Sequence, residues 1–181
     1  MARIGVVLAS MAIVAVAAAL LLDGSKGPVP LQARAAAPVQ VRCDAYNRGT
    51  SRVSRGDAVA GPFVLIGARR TPGRRRDSFD GRGFKLPLTL PEGMSATLTV
   101  PVSLQGRVGL VYRRRAQDAV LKSGRGADSA VRFISCKAKE RAGRSGWPGG
   151  IIVDRPRCVT LIVTADGRPP ERARVPIGRR C

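Results

Sequence analysis

The residues of this chain with the most definite chemistry are Cys43, Cys136, Cys158 and Cys181, and their spacing decides which chemistry that is. Successive cysteines stand more than twenty residues apart. A structural zinc site brings its ligands in close pairs and a thioredoxin-like redox centre needs Cys-x-x-Cys, and the sequence has neither pattern. An even cysteine count without close pairs predicts two structural disulfides, and with them an oxidising compartment. Strand register singles out two of the three connectivities. A hairpin centred near Arg168 sets Cys158 opposite Cys181 and leaves Cys43 for Cys136. Setting Val131 to Cys136 against Cys158 to Val163 instead joins Cys136 to Cys158 and Cys43 to Cys181. The first is preferred.

Arginine is the second chemical resource. Lys and Arg number 32 against 12 Asp and Glu, a formal net charge of +20. Such a field attracts polyanions and opposes self-association, although an Arg-rich composition also follows from a GC-rich genome. Arg69, Arg70, Arg74, Arg75 and Arg76 surround a Pro-Gly turn, and Arg113, Arg114 and Arg115 form a second cluster. The planar guanidinium group fits phosphate and carboxylate, so these eight are the candidate anion-binding residues; their other reading is a solvated surface. Arg179 and Arg180 add charge near the end.

Histidine is absent. That removes the usual general base near neutral pH and excludes Ser-His-Asp and Cys-His mechanisms as normally built. No Ser-x-x-Lys motif occurs, no Gly-rich phosphate loop opens a helix, and the acidic residues are scattered singly. The reading is therefore non-catalytic, with no cofactor or metal; a carboxylate pair meeting in space is the one enzymatic route left open. Trp147 is the only tryptophan. It is expected to cap the core, with stacking on a sugar or resting on a membrane surface as the functional alternative. Arg55-Gly56-Asp57 matches an integrin-binding tripeptide but is discounted as a chance match in a chain rich in Arg and Gly.

The elements that position these residues read as β-structure. Runs at Val39 to Cys43, Val59 to Ala68, Phe84 to Leu90, Ala96 to Val102, Val108 to Arg113, Ala130 to Cys136, Ile151 to Val153, Val159 to Thr164 and Ala173 to Ile177 are separated by Gly and Pro. Leu98, Val100 and Val102 alternate with threonines, as do Val159, Leu161 and Val163 with Thr160, Ile162 and Thr164, the period of a half-buried strand. Pro91-Glu92-Gly93 is expected to turn a hairpin, and Asp166 to Glu171 another. Pro87 and Pro101 are expected at strand edges or bulges. Only Ala116 to Lys122 suggests a short helical turn. The prediction is all-β: a single Ig-like β-sandwich of about seven to nine short strands over residues 39–181.

Ahead of it, Ile4 to Leu22 is uncharged and preceded by Arg3, which predicts a signal peptide or signal anchor at residues 1–22 with everything after Asp23 outside the cytoplasm. The stretch is long enough to span a bilayer, while Ala33-Arg34-Ala35 offers a cleavage site, so the protein is either secreted or anchored by residues 4–22. Residues 23–38 are a Gly-, Pro- and Ala-rich linker.

The run from Gly61 to Arg69 (GPFVLIGAR), with Phe133-Ile134-Ser135-Cys136, Trp147-Pro148-Gly149-Gly150 and the final Gly178-x-x-Cys181, resembles uncharacterised exported proteins of high-GC actinobacteria. The resemblance spans most of the mature chain and implies no activity or site. The functional expectation is an exported cell-envelope module that binds anionic envelope polymers or a lipid surface through its arginine clusters. A nucleic-acid-binding basic protein is the alternative, disfavoured by the export signal and by the few aromatics for base stacking. A carboxylate-dependent hydrolase ranks third.

Overall fold

The computed structural model describes residues 37–43, 48–49, 52–137 and 143–181; the expected signal segment and most of the linker lie outside them. The described chain is mainly β, with thirteen strands, one α-helix and two 3₁₀ turns among the described residues. The strand count exceeds the expected seven to nine because two long apolar runs are broken and because two short strands, Arg48–Gly49 and Arg144–Trp147, form outside the expected runs. Val59 to Ala68 is no single strand. Gly61 takes φ +54 and with Pro62 closes a two-residue turn, so β3 (Ala58–Ala60) folds back on β4 (Phe63–Leu65). The run then ends in the 3₁₀ turn Ala68–Arg70.

Phe84 to Leu90 is broken at Leu86-Pro87 into β5 (Gly83–Lys85) and β6 (Leu88–Pro91), which belong to different sheets. Proline cannot donate to a ladder, and here it leaves both strands; its carbonyl accepts the Ile66 amide at 2.8 Å. The hairpin expected at Pro91-Glu92-Gly93 does not form. Those residues carry the chain from the sheet of β6 to that of β7 (Ser95–Thr99), where Gly93 N–H donates to the Cys136 carbonyl at 2.7 Å. Pro101 stands before the 3₁₀ turn Val102–Leu104, so Val102 is 77% exposed rather than aligned with Leu98 and Val100.

The remaining strands are β1 (Val39–Arg42), β2 (Arg48–Gly49), β8 (Val108–Val111), β9 (Ala130–Ile134), β10 (Arg144–Trp147), β11 (Gly150–Val153), β12 (Arg157–Ala165) and β13 (Glu171–Ile177). They form three sheets, ordered β1-β9-β7-β12-β13, β2-β10-β6-β4-β3 and β5-β11-β8. The hairpin expected around Asp166 to Glu171 joins β12 to β13, and Val159, Leu161 and Val163 face the core as their alternation requires. β1 runs parallel to β9 with Arg42 level with Ile134. Cys43, one step beyond, therefore reaches Cys136, and Cys158 bonds to Cys181 across the last hairpin. The preferred connectivity holds. The rival register is overturned because β9 pairs with β1 and β7, not with β12. Two such bridges point to an oxidising environment outside the cytoplasm.

The three sheets share one core, and Phe133 stands at its centre. Its ring meets Phe63, Tyr112 and Trp147 edge to face at centroid distances of 5.4, 5.3 and 5.1 Å. These contacts join β9 to β4 and β10 and to the end of β8. The helix α1 (Arg114–Ser123) is longer than the expected helical turn. Ala116 and Val120, four residues apart on one face, pack with Val111 and Ile152 and cover the outer side of the three-stranded sheet. That is why every residue of β8 is buried. Among the described residues no helix is long and apolar enough to cross a membrane.

Candidate anion-binding site

The arginines singled out by clustering have different surroundings. Arg69 and Arg70 end a 3₁₀ turn and are exposed. Arg70 lies across Gly56, where a Cβ would meet its Nε at 2.1 Å. Arg74 pairs with Asp77 at 3.2 Å, both well exposed, and Arg75 is exposed without an ion pair among the described residues. Arg76 turns inward: its Nη1 donates to the carbonyls of Val153 and Asp154 at 2.9 and 2.7 Å, which ties the loop to the end of β11. Arg113 forms a two-pronged pair with Asp128, Nε to Oδ2 at 2.9 Å and Nη2 to Oδ1 at 2.5 Å. The hydrogen bonds and charge of Asp128 raise the Arg113 pKa against the opposing effect of burial. Arg114 and Arg115, in the first turn of α1, are exposed and free of ion pairs among the described residues.

Clustering missed a second group that the fold assembles. A cleft of about 470 Å³ is bordered by Arg76, Arg82, Arg107 and Arg125, with Val108, Ile152 and Val153 among its apolar residues. These four arginines come from three segments: Arg76 and Arg82 from the loop leading into β5, Arg107 from the turn entering β8 and Arg125 from the loop after α1. Arg107 donates to the Ser103 carbonyl at 2.5 Å. Arg82 pairs with Asp80 at 3.2 Å and lies over Gly124, where a Cβ would meet its Nη1 at 1.7 Å. The turn carrying Arg82 is strained, since Phe79 and Asp80 both take positive φ, at a cost of about 1–3 kcal/mol each. No ion pair engages Arg125 among the described residues. Among the described residues one carboxylate borders the cleft, Asp154, which accepts from the Arg155 amide and from the Arg157 guanidinium through Oδ1. Of the four only Arg76 belongs to a cluster visible in the sequence; Arg82, Arg107 and Arg125 each stand apart from other arginines in the chain.

A second, larger groove of about 600 Å³ runs between Arg42, Arg114, Gln117 and Trp147 and holds Asp118. Trp147 itself is only 3% exposed and its Nε1 donates to the Arg42 carbonyl at 3.1 Å, so the indole serves the core. Asp57 of the Arg-Gly-Asp tripeptide is likewise turned inward, accepting from the amides of Ser54 and Gly67 at 2.8 Å each. Burial alone raises its pKa, but those hydrogen bonds and the Arg70 charge outweigh it and hold the carboxyl below the ordinary value. The half-buried Arg144 donates to the Thr89 hydroxyl at 2.9 Å and the Pro62 carbonyl at 2.7 Å, and burial lowers its pKa. It is a tie between β10, β6 and the β3–β4 turn.

The arrangement presents guanidinium groups for hydrogen bonding and charge neutralisation, with no two carboxylates bordering either cleft among the described residues. Compared with protein-family models, with curated proteins and with solved structures, the chain matches none.

Proposed function

We propose that this protein is an exported, non-catalytic module of the cell envelope that binds anionic polymers or lipid surfaces by charge. The observation that carries the reading is a surplus of cation after internal pairing. Asp77, Asp80, Asp128, Asp154 and Asp166 are each engaged by one arginine, while Arg69, Arg75, Arg114, Arg115 and Arg125 stand exposed with no ion pair among the described residues. Exposed guanidinium groups gain screened Coulomb attraction and two-pronged hydrogen bonds to phosphate or carboxylate. The two disulfides support export, and the uncharged stretch from Ile4 to Leu22 after Arg3 supports either secretion or retention at the cytoplasmic membrane. The run from Gly61 to Arg69, with Phe133 to Cys136, Trp147 to Gly150 and Gly178-x-x-Cys181, supports kinship with exported actinobacterial proteins.

An Ig-like sandwich remains the architectural reading, supported by the aromatic contacts of Phe133 with Phe63 and Trp147 on another sheet. The parallel β1 and the three-stranded sheet are additions to that plan. A hydrolase is disfavoured because, among the described residues, each cleft borders a single carboxylate. Co-sedimentation of the oxidised protein with envelope fractions tests the reading: it should pellet with them at low salt and be released at high salt. Failure to pellet at low salt refutes it.

A further inference from the structure

We propose that the cleft between Arg76, Arg82, Arg107 and Arg125 is a phosphoryl-binding site, taking a phosphate group that carries a small organic body. This rests on the anion-binding reading above and moves its centre from the exposed 69–76 loop to a concave site held by the fold. Three of the arginines are oriented before any ligand arrives: Arg76 by the Val153 and Asp154 carbonyls, Arg107 by the Ser103 carbonyl, and Arg82 by Asp80 and the open face of Gly124. A guanidinium has five N–H donors, so each anchor leaves donors for a ligand. Because these side chains are already held, binding costs less rotamer entropy than at an unanchored side chain such as the exposed Arg75. Arg125, engaged in no ion pair among the described residues, supplies an uncommitted charge, and Asp154 is already occupied by Arg157.

The size also fits. A cleft of about 470 Å³ lies within the range of about 300–1,000 Å³ typical of small-molecule sites and leaves room beyond a bare phosphate. The apolar residues Val108, Ile152 and Val153 suit the ligand's carbon body. The phosphoryl group could belong to a soluble phosphate ester or to a lipid headgroup. Val102, 77% exposed on the turn whose Ser103 carbonyl holds Arg107, gives the second source an apolar contact beside the charge.

The test compares the oxidised parent with Arg125→Glu and with the loop variant Arg74→Gln/Arg75→Gln, using two probes at low salt: glycerol 3-phosphate, and vesicles containing phosphatidylglycerol. Thermal melting checks that each variant stays folded. Arg125→Glu should weaken binding about tenfold or more and the loop variant less than about twofold. The guanidinium NMR signals of Arg76 and Arg107 should shift when the effective probe is added. Loss with glycerol 3-phosphate supports a soluble ester, and loss confined to vesicles supports a lipid headgroup. If Arg125→Glu binds like the parent, or if the loop variant loses as much, the cleft proposal falls while the general reading stands. If the parent binds neither probe but pellets with envelope fractions, the cleft proposal alone fails. If it does neither, both fail.

Discussion

Trp147 Nε1 donates to the carbonyl of Arg42 at 3.1 Å, so the single tryptophan clamps β1 one residue before the Cys43–Cys136 bridge. The indole also meets Phe133 edge to face, and through it the rest of the aromatic centre. The folded protein should therefore show blue-shifted tryptophan emission that moves to the red on unfolding. Trp147→Phe should cost about 1–2 kcal/mol for the lost hydrogen bond and volume, and Trp147→Ala about 3–5 kcal/mol, both read from urea unfolding. Emission typical of exposed indole in the folded protein would contradict this placement.

The disulfides give a covalent prediction. Intact mass should rise by four hydrogens on reduction, because Cys43, Cys136, Cys158 and Cys181 are all bridged. Peptide mapping should return Cys43 with Cys136 and Cys158 with Cys181. Replacing either pair with alanine should destabilise the protein by about 3–5 kcal/mol, chiefly by freeing the unfolded chain. A Cys136–Cys158 peptide in the native protein would overturn the register of β9.

Much of this framework was legible in the sequence. The alternation in Val159 to Thr164 is strict, and Gly167 with two prolines after it marks the hairpin that sets Cys158 against Cys181. Other parts were hidden for physical reasons. Gly61-Pro62 turns the chain inside a run that is apolar on both sides, so composition alone shows one strand where there are two. α1 buries only Ala116 and Val120, too little periodicity to announce a ten-residue helix. The cleft arginines Arg82, Arg107 and Arg125 are ordinary single charges until β8, β11 and α1 bring them together.

Asp57 predicts a pH dependence. Its folded pKa lies below the ordinary value because the Ser54 and Gly67 hydrogen bonds and the Arg70 charge outweigh burial. A depressed carboxylate pKa contributes stability that is present above the unfolded pKa of about 4 and is lost as pH falls through the folded pKa. Asp57→Asn should cost about 1–2 kcal/mol at pH 7 and progressively less below about pH 4, measured by urea unfolding. An equal cost at pH 7 and pH 3 would refute the role given to the charge.

The two arginine environments separate by mutation. Arg113→Gln breaks the pair with the nearly buried Asp128 and should destabilise by about 1–3 kcal/mol, leaving that carboxylate short of its partner. Arg114→Gln/Arg115→Gln removes two exposed charges with no ion pair among the described residues and should change stability by less than about 0.5 kcal/mol. Thermal melting compares them. A reversed order would mean that the Arg113–Asp128 pair contributes nothing.

The most direct test of the central claim, binding to envelope anions through folded arginines, is a titration of the oxidised protein with a soluble phosphate-rich polymer across a series of salt concentrations. Affinity should be measurable at low ionic strength, with the logarithm of the association constant falling linearly as the logarithm of salt rises, because each phosphate contact releases a bound counterion. Reducing both disulfides should abolish the part of the affinity that depends on the cleft and leave a weaker, steeply salt-dependent remainder. No binding at low salt, or an affinity that salt does not change, would contradict the claim.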